Sequence, residues 1–144
     1  MQKINLSEKL SKFTAHWSPK IVAELNGQHV KLVKFRGEFV WHSHEHEDEL
    51  FFVVRGSFRM ELREPVRSSA AEIPGESRTP PAGGVQLRDR TVDLKEGEMF
   101  VVPRGVEHRP VADEEVAVML FEPASTLNTG NAGGDKTVAQ PDWI

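Results

Sequence analysis

Through the middle of this chain run short spans, some alternating apolar with polar residues and others wholly apolar, and most stop at a glycine, a proline or a charged cluster. A period of two is that of a strand with one buried face. Strands are therefore predicted at Ile21 to Leu25, Gln28 to Phe35, Glu38 to His44, Leu50 to Arg55, Ser57 to Leu62, Val85 to Leu94, Met99 to Val102 and Glu115 to Phe121. Breaks fall at Gly37, at Gly56, at Lys95-Glu96-Gly97-Glu98 and at Pro103-Arg104-Gly105. Between the first two strands, Asn26-Gly27 tolerates positive φ and predicts a two-residue hairpin turn of type I′. Helical spacing is confined to Asn5 to Phe13, with Leu6, Leu10 and Phe13 on one face and Asn5 or Ser7 placed to cap it. One short helix followed by many short strands predicts an all-β sandwich or barrel.

Two segments lie outside the pattern. Between Ser68 and Gly84 the only large apolar side chain is Ile73, too little burial to offset ordering entropy, so residues 68–84 are expected to form a mobile surface loop. Residues 123–144 are also poor in large apolar groups until Trp143 and Ile144, and are expected to lie across the barrel or fray. A chain of 144 residues, 38% of them hydrophobic, suits a single domain around one core. Its 18 Lys and Arg against 22 Asp and Glu give no broad cationic surface for nucleic acid or anionic lipid. A small-molecule ligand is the expected partner. The first residues lack the apolar stretch of a signal peptide, and no segment approaches the roughly 18 apolar residues of a membrane span, so a cytoplasmic protein is expected. Cysteine is absent, which excludes disulfides and thiolate chemistry and leaves nitrogen and oxygen to hold any metal.

Histidine changes the picture. Four of the six, His42, His44, His46 and His108, lie in two short regions, the first reading HSHEHEDE from His42 to Glu49. In a strand His42 and His44 would project to one face about 6.6–7 Å apart, close enough for both imidazoles to converge on one ion. Glu49 follows a turn made of Glu45 to Asp48, and an antiparallel return would bring its carboxylate beside them. His108, after the Pro103-Arg104-Gly105 turn, would approach from another strand. Three imidazoles and one carboxylate suit a divalent cation such as Fe, Mn, Co, Ni, Cu or Zn. An alternative pair, His44 and His46, shares the same parity, but the spacing to Glu49 favours His42, which leaves His46 as a solvated turn residue or a group behind the ligands.

These residues stand in two motifs. The first is Gly37, four residues, His42-x-His44, four residues, Glu49, six residues and Gly56; the second is Gly97, five residues, Pro103-x-Gly105, two residues, His108, three residues and Ala112. Together they resemble the cupin superfamily, whose first motif has a five-residue spacer after the glycine and whose second ends in Asn where Ala112 stands. No ligand position is lost by either departure. The resemblance implies a double-stranded β-helix, or jelly-roll, barrel spanning residues 1–144. Its N-terminal helix and hairpin would occupy 1–36, the first motif 37–56 and the second 97–112. It further implies one divalent metal ion, such as Fe, Mn, Ni or Zn, on His42, His44, Glu49 and His108, and a homodimer. A loose likeness is to the single-domain group compared with mannose-6-phosphate isomerase, which is a name for a sequence group and not evidence of sugar chemistry.

By strand parity Val40, Phe51 and Val53 should line the cavity beside the ligands, with Phe39, Trp41, Phe52 and Val54 facing away. Ordinary core packing accounts equally for most of them. Arg104, Arg109, Arg55 and Arg59 are candidates for holding a substrate carboxylate or phosphate. Glu107 should point away from the cavity. The expected function is a mononuclear metal-dependent enzyme, of dioxygenase or isomerase type, on a small oxygen-bearing metabolite. The alternative is a non-catalytic binding or sensing barrel with a structural metal, since no separate general acid or base is marked. A DNA-binding regulator is disfavoured because no helix-turn-helix segment or basic patch is present.

Overall fold

A computed structural model describes residues 3–65 and 87–144. The loop expected at Ser68 to Gly84 lies outside the described residues. Among the described residues one helix, α1 (Leu6–Leu10), precedes seven strands: β1 (Lys20–Leu25), β2 (Gln28–Glu38), β3 (Glu49–Arg55), β4 (Ser57–Pro65), β5 (Leu87–Lys95), β6 (Met99–Val102) and β7 (Glu107–Pro123). The helix is one turn shorter than its spacing predicts; the Asn5 side chain caps it by accepting from the Glu8 N–H at 3.2 Å. At the β1–β2 hairpin, Asn26 and Gly27 both have positive φ, 51° and 74°, as a type I′ turn requires.

All described strand pairings are antiparallel, and the longest strand organises them. One edge of β7 carries β2; the other carries β3 over residues 117–121 and β4 over residues 107–111. Thus β3 and β4 form one bent ribbon, hinged at Gly56, along a single partner. Between the pairs Arg55 with Ala117 and Arg59 with Val111, the ribbon advances four residues against six on β7, so β7 bulges at the corner. Gly56 is required there: its φ is +86°, and a Cβ would meet the Glu115 carbonyl oxygen at 3.3 Å. The outer ribbon β5–β6 bends likewise, with β5 on β4 and β6 on β3. Bent strands within one continuous seven-stranded sheet of the described residues produce the predicted jelly-roll barrel.

Two predicted strands change most. The strand expected at Glu38 to His44 is not formed: β2 ends at Glu38, and only an isolated bridge between His42 and His108 continues it. By contrast, the strand expected from Glu115 begins at Glu107 and passes through Pro110, whose carbonyl accepts from the Phe39 N–H at 3.0 Å. Proline costs the ladder only a donor, and here its acceptor is used.

Inside the barrel Val33, Phe35, Phe51, Val53, Phe58, Met60, Leu62, Val116, Val118 and Leu120 form the main core. A second cluster lies outside, where Leu10 and Phe13 of the N-terminal segment cover Leu32 and Ala117. The tail does not fray. It crosses the barrel mouth, where Thr129 is fully buried and bonded to Thr137 at 2.7 Å, and returns to place Ile144 against the Ile21 backbone.

Candidate metal centre

His42, His44, Glu49 and His108 are brought to one end of the barrel interior, each at most 5% exposed. Reciprocal backbone hydrogen bonds between His42 and His108, at 3.0 and 2.8 Å, set their imidazoles side by side with centroids 4.2 Å apart. Glu49 opens β3, and its Oε2 lies 3.2 Å from His44 Nε2 and 3.3 Å from His108 Nε2. The Gly105 N–H donates to the His44 carbonyl at 2.7 Å, so the tight turn predicted at Pro103-Arg104-Gly105 anchors the loop bearing the histidines.

The geometry fits a metal ion. One donor atom from each residue lies within 4.8 Å of the others. Donors about 2.1 Å from a shared ion stand at most about 4.2 Å apart, so a small closing movement suffices. The Nδ1 atoms of His42 and His108 lie 3.0 and 2.9 Å from the Val40 and Val106 carbonyls, and donation there turns each Nε2 lone pair inward. The buried His44 Nε2, although 3.2 Å from Glu49 Oε2, has no partner in hydrogen-bond geometry among the described residues. Burial, reinforced by neighbouring His108, pushes the His42 pKa down to about 4, so at neutral pH its lone pair is free for an ion. For Glu49, burial acts upward but is outweighed by the His108 and His44 contacts, which hold the carboxyl well below the usual carboxylate range.

Beside His42 and Glu49 lies a cavity of about 20 Å³, room for about one water molecule, walled by Trp17, Phe35, Phe39, Phe51 and Leu120. Phe51 lines it as expected. Phe39 does too, although parity predicted the reverse: the chain between Phe39 and His42 is not regular strand, and alternation resets there. Val53 is buried in the core and does not line the cavity, and Val40 contributes its carbonyl to His42. His46, with its side chain 77% exposed, sits on the outer acidic turn. Replacing His46 by alanine is expected to change metal affinity less than about twofold, measured by chelator competition, because exposed polar groups contribute little.

None of the four candidate arginines lines the cavity. Arg104 is tied to Asp48, Arg59 to Asp113, and Arg109 to Glu61 and Glu38, while Arg55 is exposed. Glu107 faces outward, paired with Arg63 at 3.3 Å.

Sequence reasoning missed three groups. Trp17 stacks on Phe35 and Phe39, centroids 4.6 and 4.8 Å apart, and closes the cavity from the N-terminal segment. Lys31 and Glu122, both about 1% exposed, form a 2.7 Å ion pair inside the barrel. Both share the inward parity of apolar neighbours, Val33 and Phe35 on β2, Val118 and Leu120 on β7. Charged residues in those positions were a readable signal. Burial and the adjacent Glu49 push the Glu122 carboxyl well above its usual range, with Lys31 acting against them.

A family model described as Cupin matches residues 24–141. The crystal structure of a cupin-2 domain protein from Shewanella frigidimarina is similar, with 39% identity and a TM-score of 0.64, covering 83% of this chain and 93% of that one. A hydroquinone 1,2-dioxygenase from Sphingomonas sp. TTNP3 shares the fold at 14% identity and a TM-score of 0.65, over 86% of this chain and 33% of its own. The uncharacterised protein YdbB of Bacillus subtilis is 26% identical over 88 residues, 61% of this chain, and the match spans 57% of YdbB.

Proposed function

This chain belongs to the cupin family, and from that premise we propose that it is a mononuclear metal-dependent enzyme of dioxygenase or isomerase type. One divalent ion would be held by His42, His44, Glu49 and His108. The observation that carries this reading is the group of four buried donors within 4.8 Å of one another, beside a cavity. A bound divalent ion would supply a Lewis acid or a redox centre. The chain would supply aromatic walls that exclude bulk water from the ion, as a cytoplasmic protein acting on a small oxygen-bearing metabolite that must widen a cavity sized for about one water.

The fold shared with hydroquinone dioxygenases makes O₂ the first co-substrate to test. Protein loaded anaerobically with Fe(II) is mixed with hydroxylated aromatics and hydroxy acids while O₂ is followed, and Mn, Ni and Zn forms are assayed for isomerisation. Turnover that disappears in His44→Ala supports the enzyme. No turnover with any metal, together with a sharp fall in melting temperature on chelation, supports a binding or sensing barrel with a structural metal. One observation favours that second reading: among the described residues, the cavity lining has no acid or base apart from His42 and Glu49.

A homodimer belongs to the same proposal. On the outer face, Phe121, Leu50 and Val101 lie in one cross-strand row and Met119, Phe52 and Met99 in the next. Met99 and Val101 are 61% and 47% exposed, and α1 does not cover them. Val101→Glu is expected to halve the solution mass from twice the 16.2 kDa protomer to a single one, measured by light scattering.

A further inference from the structure

The barrel interior holds two carboxyl groups beside each other. The β3–β7 register pairs Leu50 with Phe121, so the next pair outward sets Glu49 opposite Glu122, both with inward-facing, buried side chains. Cβ atoms so paired stand about 4.5–5.5 Å apart, and like charges placed this way repel. Lys31 offsets that repulsion. Lys31 on β2 donates to Glu122 Oε1 at 2.7 Å and is itself held by the Thr126 carbonyl at 3.4 Å. The other oxygen, Oε2, is buried with no hydrogen-bond partner among the described residues, on the side chain that the register sets opposite Glu49.

We propose that Lys31 and Glu122 are positioning residues for the metal centre: the Lys31 ammonium fixes the Glu122 carboxyl, which in turn fixes the direction in which Glu49 presents its oxygen between His44 and His108. The proposal rests on the metal-site reading above and goes beyond it. Core packing alone would not call for a lysine and a glutamate at these positions, because a buried ion pair contributes little net stability over apolar side chains of similar size. Groups that orient metal ligands typically change metal affinity by about 10–100-fold when altered.

The test uses Co(II) as the probe on the full chain, reading affinity by chelator competition and coordination by the visible spectrum. Lys31→Met and Glu122→Ala are each expected to weaken Co(II) binding at least about tenfold and to alter the spectrum. Glu122→Gln keeps the shape and can bond both neighbours, so it is expected to stay within about threefold of wild type. Should Lys31→Met fail to fold, the two Glu122 variants carry the comparison. Wild-type affinity and spectrum in Glu122→Ala, or Glu122→Gln no better than Glu122→Ala, overturns the proposal. A wild-type protein that binds no Co(II) overturns the metal-site reading instead.

Discussion

His108→Ala is expected to abolish stoichiometric metal uptake while the barrel remains folded. The substitution removes one of four donors, yet the hydrogen bonds joining positions 42 and 108 run through the backbone and survive it. Altering a group behind the ligands already costs about 10–100-fold in affinity, so losing a ligand should cost at least about 1000-fold, about 4 kcal/mol. A second readout comes from the apo protein. His108 is the second cause, after burial, of the low His42 pKa, so that pKa should rise from about 4 when His108 is gone, followed by NMR of the imidazole protons. Circular dichroism unchanged from wild type, with metal absent, is the expected combination. Retained metal at wild-type affinity would remove His108 from the site.

Gly130→Ala should destabilise the protein more than any other single-methyl addition in the tail. Gly130 has a φ of +47°, and an added Cβ would overlap the Ser43 carbonyl oxygen and approach His44 Nδ1 to 3.2 Å. The contact is held on both sides of Ser43: its N–H donates to Asn131 Oδ1 at 2.9 Å, and its carbonyl accepts from the Asn131 N–H at 3.1 Å. Either the tail lifts or the loop carrying His44 shifts. Left-handed backbone costs a non-glycine residue about 1–3 kcal/mol before any clash, so a fall in melting temperature of about 5–10 °C is expected, with weaker metal binding. Gly133→Ala is the control, with φ +61° but nothing within 4 Å of its Cβ. Equal losses in the two variants would mean that the tail does not buttress His44.

The parts of this protein that could be read from its sequence share a physical character. Hairpin turns and short strands are local, so Asn26-Gly27 and the apolar run of Leu50 to Val54, closed by Arg55 and Gly56, announced themselves. The four-donor group was legible because its residue types are rare together and stand in fixed spacing to Gly37, Gly56, Gly97 and Pro103. What stayed hidden depends on the third dimension. Phe39 joined the cavity wall because the backbone leaves strand geometry before His42. Strand β7 ran further than predicted because a proline carbonyl could still be used. Trp17 and the tail reach the site through tertiary packing, and no local pattern records that. Lys31 and Glu122 were visible as charges on inward-facing positions, but alternation alone does not pair them across two strands.

The central claim, that one divalent ion sits on His42, His44, Glu49 and His108, is tested most directly by a crystal structure of metal-loaded protein with data collected at the metal's absorption edge. One anomalous peak per chain is expected, about 2.1 Å from the Nε2 atoms of the three histidines and about 2.0–2.2 Å from a Glu49 oxygen. A loaded crystal with no peak there, or with its only peak on the acidic turn at Glu45 to Asp48, would contradict it.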